Sequence, residues 1–108
     1  MRILTILALF LSTSAYANHI NTSSTASWYN DRSGRTASGM RTTYGVAHKT
    51  LPFGTKVHIT NPHNGKSVTA VVTDRGPFVK GRSFDINQNC KSSLGFSGVG
   101  RLLFSIFH

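Results

Sequence analysis

Glutamate is absent from this chain, and aspartate occurs only as Asp31, Asp74 and Asp85. Chemistry that needs a carboxyl must use one of these three. The single cysteine, Cys90, cannot form an internal disulfide, so the fold must hold by packing alone. Its surroundings read as a helix face, where a free cysteine is usually a small buried hydrophobe. Long apolar runs are scarce as well. The one such run, over residues 3–11, follows the basic start Met1-Arg2 and precedes the small-x-small triplet Ala15-Tyr16-Ala17. That pattern predicts a secretory signal peptide over residues 1–17, too short with its flanks to cross a bilayer as a helix. No cysteine lies at its end to accept a lipid anchor.

The remainder suffices for one small domain and has no internal repeat. Residues 18–25 are polar and rich in Ser and Thr, which predicts a flexible lead-in to a domain over residues 26–108. The formal net charge is +9. Such a field favours polyanionic partners. For an exported chain these are cell-wall polymers or anionic surfaces rather than nucleic acid. The basic residues are scattered, however, and scattered charge equally serves solubility.

Period-two patterns mark the strands. Ala26-Ser27-Trp28-Tyr29 reads as a short one, and residues 36–44 read as strand-like or loop. Lys56-Val57-His58-Ile59-Thr60 alternates as a half-buried strand does. A turn with Asn64-Gly65 separates it from residues 67–73, so these two runs predict a hairpin. Residues 82–86 and 102–107 add two more strands. Asn87 can cap a helix that runs to Leu94 and stops at Gly95. Six short strands and one helix predict a mainly β fold, closed as a barrel rather than a sandwich.

Candidate chemistry is confined to a few side chains. Asp74 ends a β run before Arg75-Gly76-Pro77. It could shape a turn by accepting backbone N–H bonds, or present a carboxyl at a barrel rim beside Phe78. Asp85, between Phe84 and Ile86, points away from both and either faces a groove or caps the helix. His48 could be a structural hydrogen-bond partner or a donor placed near a carboxyl. The spacing of His48, His58 and Asp74 matches no zinc pattern, so no metal and no cofactor are expected. Trp28 and Tyr29, adjacent on a strand, face opposite sides, so one packs inward and one could stack on a sugar. Tyr44, Phe53 and Phe78 are further aromatic candidates.

Read in order, these segments resemble the rare lipoprotein A (RlpA) family. The resemblance runs through Ala26-Ser27-Trp28-Tyr29, Gly34-Arg35-Thr36-Ala37-Ser38-Gly39 and Ala47-His48-Lys49-Thr50-Leu51-Pro52-Phe53-Gly54-Thr55. It continues through Asn64-Gly65-Lys66-Ser67-Val68 and Asp74-Arg75-Gly76-Pro77-Phe78-Val79-Lys80-Gly81-Arg82, then Asp85 and Leu94-Gly95. It implies a six-stranded double-psi β-barrel, shared with expansins, and an endolytic peptidoglycan lytic transglycosylase. Such enzymes cleave between N-acetylmuramic acid and N-acetylglucosamine without water, on strands poor in peptide, and leave anhydro-muramyl ends.

The resemblance carries catalytic roles to Asp74 as acid/base, to Asp85 in the groove and to His48 as an orienting group. Thr36, Ser38, Tyr44 and Arg75 become candidate substrate contacts. One position departs from the family: Met40 stands where relatives usually carry Glu, and the segment from Met40 to His48 is a few residues shorter. That departure keeps a second reading open, a non-catalytic, expansin-like module that binds peptidoglycan or another polysaccharide. The expected protein is an exported monomer, periplasmic or secreted. It would have no lipid anchor, no stable membrane insertion after signal cleavage and glycan strands as its partner.

Overall fold

The computed structural model describes residues 19–30, 36–78 and 80–107. The expected signal peptide, Asp31, and Gly34-Arg35 of the first loop motif lie outside the described residues. Six strands form a closed barrel: β1 (His19–Tyr29), β2 (Gly45–Ala47), β3 (Lys56–Thr60), β4 (Ser67–Asp74), β5 (Phe84–Asn87) and β6 (Gly100–Phe107). One helix, α1 (Gln88–Leu94), lies between β5 and β6. Around the barrel the order is β1-β5-β2-β4-β3-β6, closing back on β1. The β1–β5 and β2–β4 pairs are parallel, and the other four are antiparallel.

The hairpin expected around Asn64-Gly65 is present as β3 and β4, with Lys56 opposite Val71 and Thr60 opposite Ser67. Its connection is longer than a two-residue turn. Asn61 N–H donates to the Lys66 carbonyl at 2.8 Å, and Gly65 takes a φ of 75° that its missing Cβ permits. Residues 19–25, expected to be a flexible lead-in, instead belong to β1. They pair antiparallel with β6 from His19↔Phe107 to Thr25↔Arg101. Their polar side chains hide this, because the gain is ladder hydrogen bonding along β6 rather than apolar burial.

Alternation places the core. Val57 and Ile59 of β3, Ala70 and Val72 of β4, Phe84 and Ile86 of β5, and Leu102 and Phe104 of β6 point inward and are buried. Cys90 and Leu94 of α1 close one end, and Cys90 is a buried free thiol. The α1 caps match the sequence reading. The Asn87 side chain accepts from the Cys90 N–H at 2.9 Å, and Gly95 ends the helix at φ 62°. Asn87 is fully buried, and its Nδ2 also donates to the Thr43 carbonyl at 3.1 Å, which ties α1 to the entry of β2. Asn87→Ala removes both bonds at once. We expect it to cost about 2–3 kcal/mol in urea unfolding, more than a surface cap alone.

Candidate active site

Strand β2 has only three residues, yet it lies between the two strands that carry the described carboxylates. Ala47 is paired with Asp74 of β4 on one side and with Asp85 of β5 on the other. Adjacent strands stand about 4.8 Å apart, so the two aspartate backbones are separated by roughly 10 Å across Ala47. His48 follows directly, and its N–H donates to the Asp74 carbonyl at 3.2 Å. Topology thus brings together His48, Asp74 and Asp85.

Asp74 is half-buried at the end of β4. Its Oδ1 accepts from Ala37 N–H and from Arg75 N–H, both at 2.9 Å. These bonds make the turn-shaping role real, and both fall on one oxygen. Oδ2 has no hydrogen-bond partner among the described residues, nor is it among the unpaired atoms sealed from water. One carboxyl oxygen therefore anchors the side chain and the other stays open. Asp85 is held differently: its Oδ1 accepts from the Ser27 hydroxyl across the parallel β1–β5 ladder. The helix-cap alternative for Asp85 falls, since Asn87 fills that position.

Two loops meet at Asp74. The first, residues 36–40, is fastened to the end of β4. Ser38 donates to the Thr73 carbonyl through its N–H at 3.1 Å and its hydroxyl at 2.6 Å. The Thr36 hydroxyl donates to the Met40 carbonyl at 2.6 Å, and Thr36 is buried. As donors to a sugar Thr36 and Ser38 are spent, because the Thr36 hydroxyl proton goes to Met40 within the loop and that of Ser38 to Thr73 of β4. Met40 is 40% exposed at the loop's end.

The second loop, residues 48–54, is strapped by Arg75. Its Nη1 donates to the carbonyls of His48 at 3.2 Å and Leu51 at 2.8 Å, and its guanidinium lies 3.9 Å from the Phe53 ring centroid. Arg75, expected among the substrate contacts, is thus a brace whose Nη1 donors are turned into the protein. We expect Arg75→Ala to cost about 2 kcal/mol through two orphaned carbonyls and the lost cation–π contact. Arg75→Lys should recover only part, since a single ammonium cannot reproduce the planar fork. Thermal unfolding of the two variants checks this.

Tyr44 also departs from expectation. It precedes β2, at the end remote from Asp74, and its hydroxyl bonds Ser93 of α1 at 3.0 Å. Its role is packing on the core against the helix. Around Asp74 the aromatic surface comes instead from Phe53, 39% exposed, and Phe78, 82% exposed. Of the adjacent pair, Trp28 is 40% exposed and lies under the Lys91 ammonium at 4.9 Å from the ring centroid, while Tyr29 is half-buried. Among the described residues no three His, Cys or Asp side chains cluster in a way that could hold a metal ion.

His48 is where electrostatics departs from the ordinary. Burial, and then the positive charges of Arg75 and Lys49, hold its pKa below the usual 6.5. Its ring tilts against Phe84, with centroids 4.8 Å apart. Phe84 in turn stacks on Phe104 at 4.0 Å. Sequence reasoning missed Phe84 as a support for the site. The signal was its place next to Asp85, with the opposite facing that alternation requires.

Comparison with known proteins agrees with this fold. The model of the lytic transglycolase family matches residues 21–104. A probable endolytic peptidoglycan transglycosylase RlpA of Synechocystis is 43% identical over 88 residues, covering 75% of this chain and 27% of that protein. The endolytic peptidoglycan transglycosylase RlpA of Neisseria meningitidis serogroup A is 44% identical over 80 residues, covering 69% of this chain and 34% of that protein. The chain thus spans about a third of the length of these relatives. Among solved structures, the expansin of Clavibacter michiganensis superimposes with a TM-score of 0.69 at 19% identity, over 82% of this chain and 51% of that one. That likeness is one of fold. The chain belongs to the RlpA family of lytic transglycolase domains, folded as a double-psi β-barrel.

Proposed function

We propose that this domain is an endolytic lytic transglycosylase acting on peptidoglycan glycan strands outside the cytoplasm. The observation that carries this reading is Asp74, with Oδ1 anchored by two backbone N–H groups and Oδ2 without a hydrogen-bond partner among the described residues. Membership of a family whose relatives bear that activity in their names supports it. In the reaction, protonated Asp74 gives its proton to the glycosidic oxygen between N-acetylmuramic acid and N-acetylglucosamine. The C–O bond breaks, and the glucosamine leaves with that proton as a hydroxyl. The primary hydroxyl of the muramyl sugar closes on the anomeric carbon and returns its own proton to Asp74. Protons balance with one carboxyl and no water, unlike hydrolysis by paired carboxylates.

Asp85, fixed by Ser27, tunes or shapes the groove about 10 Å away across Ala47. Phe78, largely exposed four residues after Asp74, offers the apolar face on which a sugar ring stacks. A second reading is favoured by Met40, an exposed thioether that cannot transfer a proton at the position where the family resemblance implies Glu. On that reading the domain binds glycan without cutting it.

Digestion of peptide-free glycan strands, read by mass spectrometry, separates the two. New anhydro-muramyl ends support the transglycosylase. Salt-sensitive co-sedimentation with peptidoglycan and no new ends supports the binding module.

A further inference from the structure

Two backbone amides converge on one edge of the His48 ring. Thr50 N–H and Leu51 N–H both donate to Nδ1, at 3.1 and 3.0 Å. An imidazole nitrogen that accepts hydrogen bonds carries no proton, so the neutral ring holds its proton on Nε2. Nε2 has no partner among the described residues and is not among the unpaired atoms sealed from water. The ring cannot readily turn to present the other nitrogen. It is tilted against the Phe84 ring at 49°, and its loop is strapped by Arg75 through the carbonyls of His48 and Leu51.

The charged groups around it come from three elements. Lys49 lies on its own loop, Arg75 follows β4, and Asp74 and Asp85 flank Ala47 on β4 and β5. The two cations oppose a third positive charge on the ring.

We infer that His48 is a neutral hydrogen-bond donor to the glycan through Nε2–H, and that it neither gives nor takes a proton during turnover. The glycan part of this inference rests on the proposed function; the protonation state does not. A donor-only edge suits a sugar acceptor oxygen, such as an acetamido carbonyl or a hydroxyl lone pair. Both proton transfers then remain with Asp74. Protonation of Nδ1 would expel the Thr50 and Leu51 amides, so acid should loosen residues 48–51. The sign follows from linkage: the folded pKa lies below the unfolded 6.5, so this stabilisation is complete above 6.5 and is lost as pH falls through the folded value.

Long-range proton–nitrogen correlation on 15N-labelled protein tests the state directly. The expected result is a bare Nδ1, a protonated Nε2 and a titration midpoint below 6.5. A proton on Nδ1 in the neutral ring, or a midpoint at or above 6.5, overturns the inference even if the protein cleaves glycan. Saturating peptide-free glycan fragments should shift the Nε2–H signal. A titration that shifts other site signals and leaves Nε2–H unmoved would also overturn it, whether or not cleavage occurs.

Where cleavage is measurable, His48→Asn supplies a third readout. Its side-chain carbonyl can still accept the Thr50 amide, but no N–H stands at the Nε2 position. We expect kcat/KM to fall about 10- to 100-fold with the alkaline limb of the pH profile, which reports the Asp74 proton, kept in place. Disappearance of that alkaline limb would make His48 the proton donor and sink the inference.

Discussion

Asp74→Asn should abolish release of anhydro-muramyl ends while leaving the barrel folded. The substitution is close to isosteric. The Asn carbonyl can take the place of Oδ1 and accept from Ala37 and Arg75, so both loops stay docked on β4. The amide nitrogen replaces Oδ2, the oxygen that no described residue occupies. An amide cannot transfer a proton at neutral pH, so the loss should reach at least about 10²–10⁴-fold, the usual worth of a general acid or base. Because one carboxyl serves both proton steps, no second group should rescue the variant. Thermal unfolding within a few degrees of the wild type, measured alongside the digest, shows that the loss is chemical. Unchanged product from a folded Asp74→Asn protein would remove Asp74 from the reaction.

Some of this site was legible in the residues alone, and the reason differs from case to case. The β3–β4 hairpin and α1 announce themselves through local signals: alternation, a turn, an N-cap and a glycine stop. Strand β2 does not, because three residues carry no period, and Gly45-Val46-Ala47 acquires strand geometry only from β4 and β5 on either side. Parallel pairing of β1 with β5 is equally silent, since Ser27 and Asp85 stand 58 residues apart. The acidic candidates came from scarcity: with so few carboxyls, Asp74 and Asp85 had to be considered together. What the chain could not reveal was direction. Thr36, Ser38 and Arg75 carry polar groups suited to a sugar, yet the two hydroxyl protons and the Arg75 Nη1 donors go to backbone carbonyls of the site loops and of β4. Polar residues in a loop motif can contact ligand or hold the loop that does. Only the partner of each donor tells these apart.

Phe84→Ala should be the most damaging change outside the chemistry, and it should act on stability and site together. Phe84 is 2% exposed and lies between two rings, stacked on Phe104 within 10° of parallel and tilted against His48 on the site side. Truncation removes a large apolar side chain and leaves a cavity. A cost of about 3–5 kcal/mol is expected. A small domain has on the order of 5–15 kcal/mol in total, so the melting temperature should drop by roughly 15–30 °C. Phe84→Leu separates the two effects. It keeps most of the volume and loses the ring contacts, so the cost should be only about 1–2 kcal/mol. If the ring of Phe84 holds the plane of His48, the Leu variant should still lose activity on glycan at a temperature where it is fully folded. A Leu variant that is folded and fully active would confine Phe84 to the core.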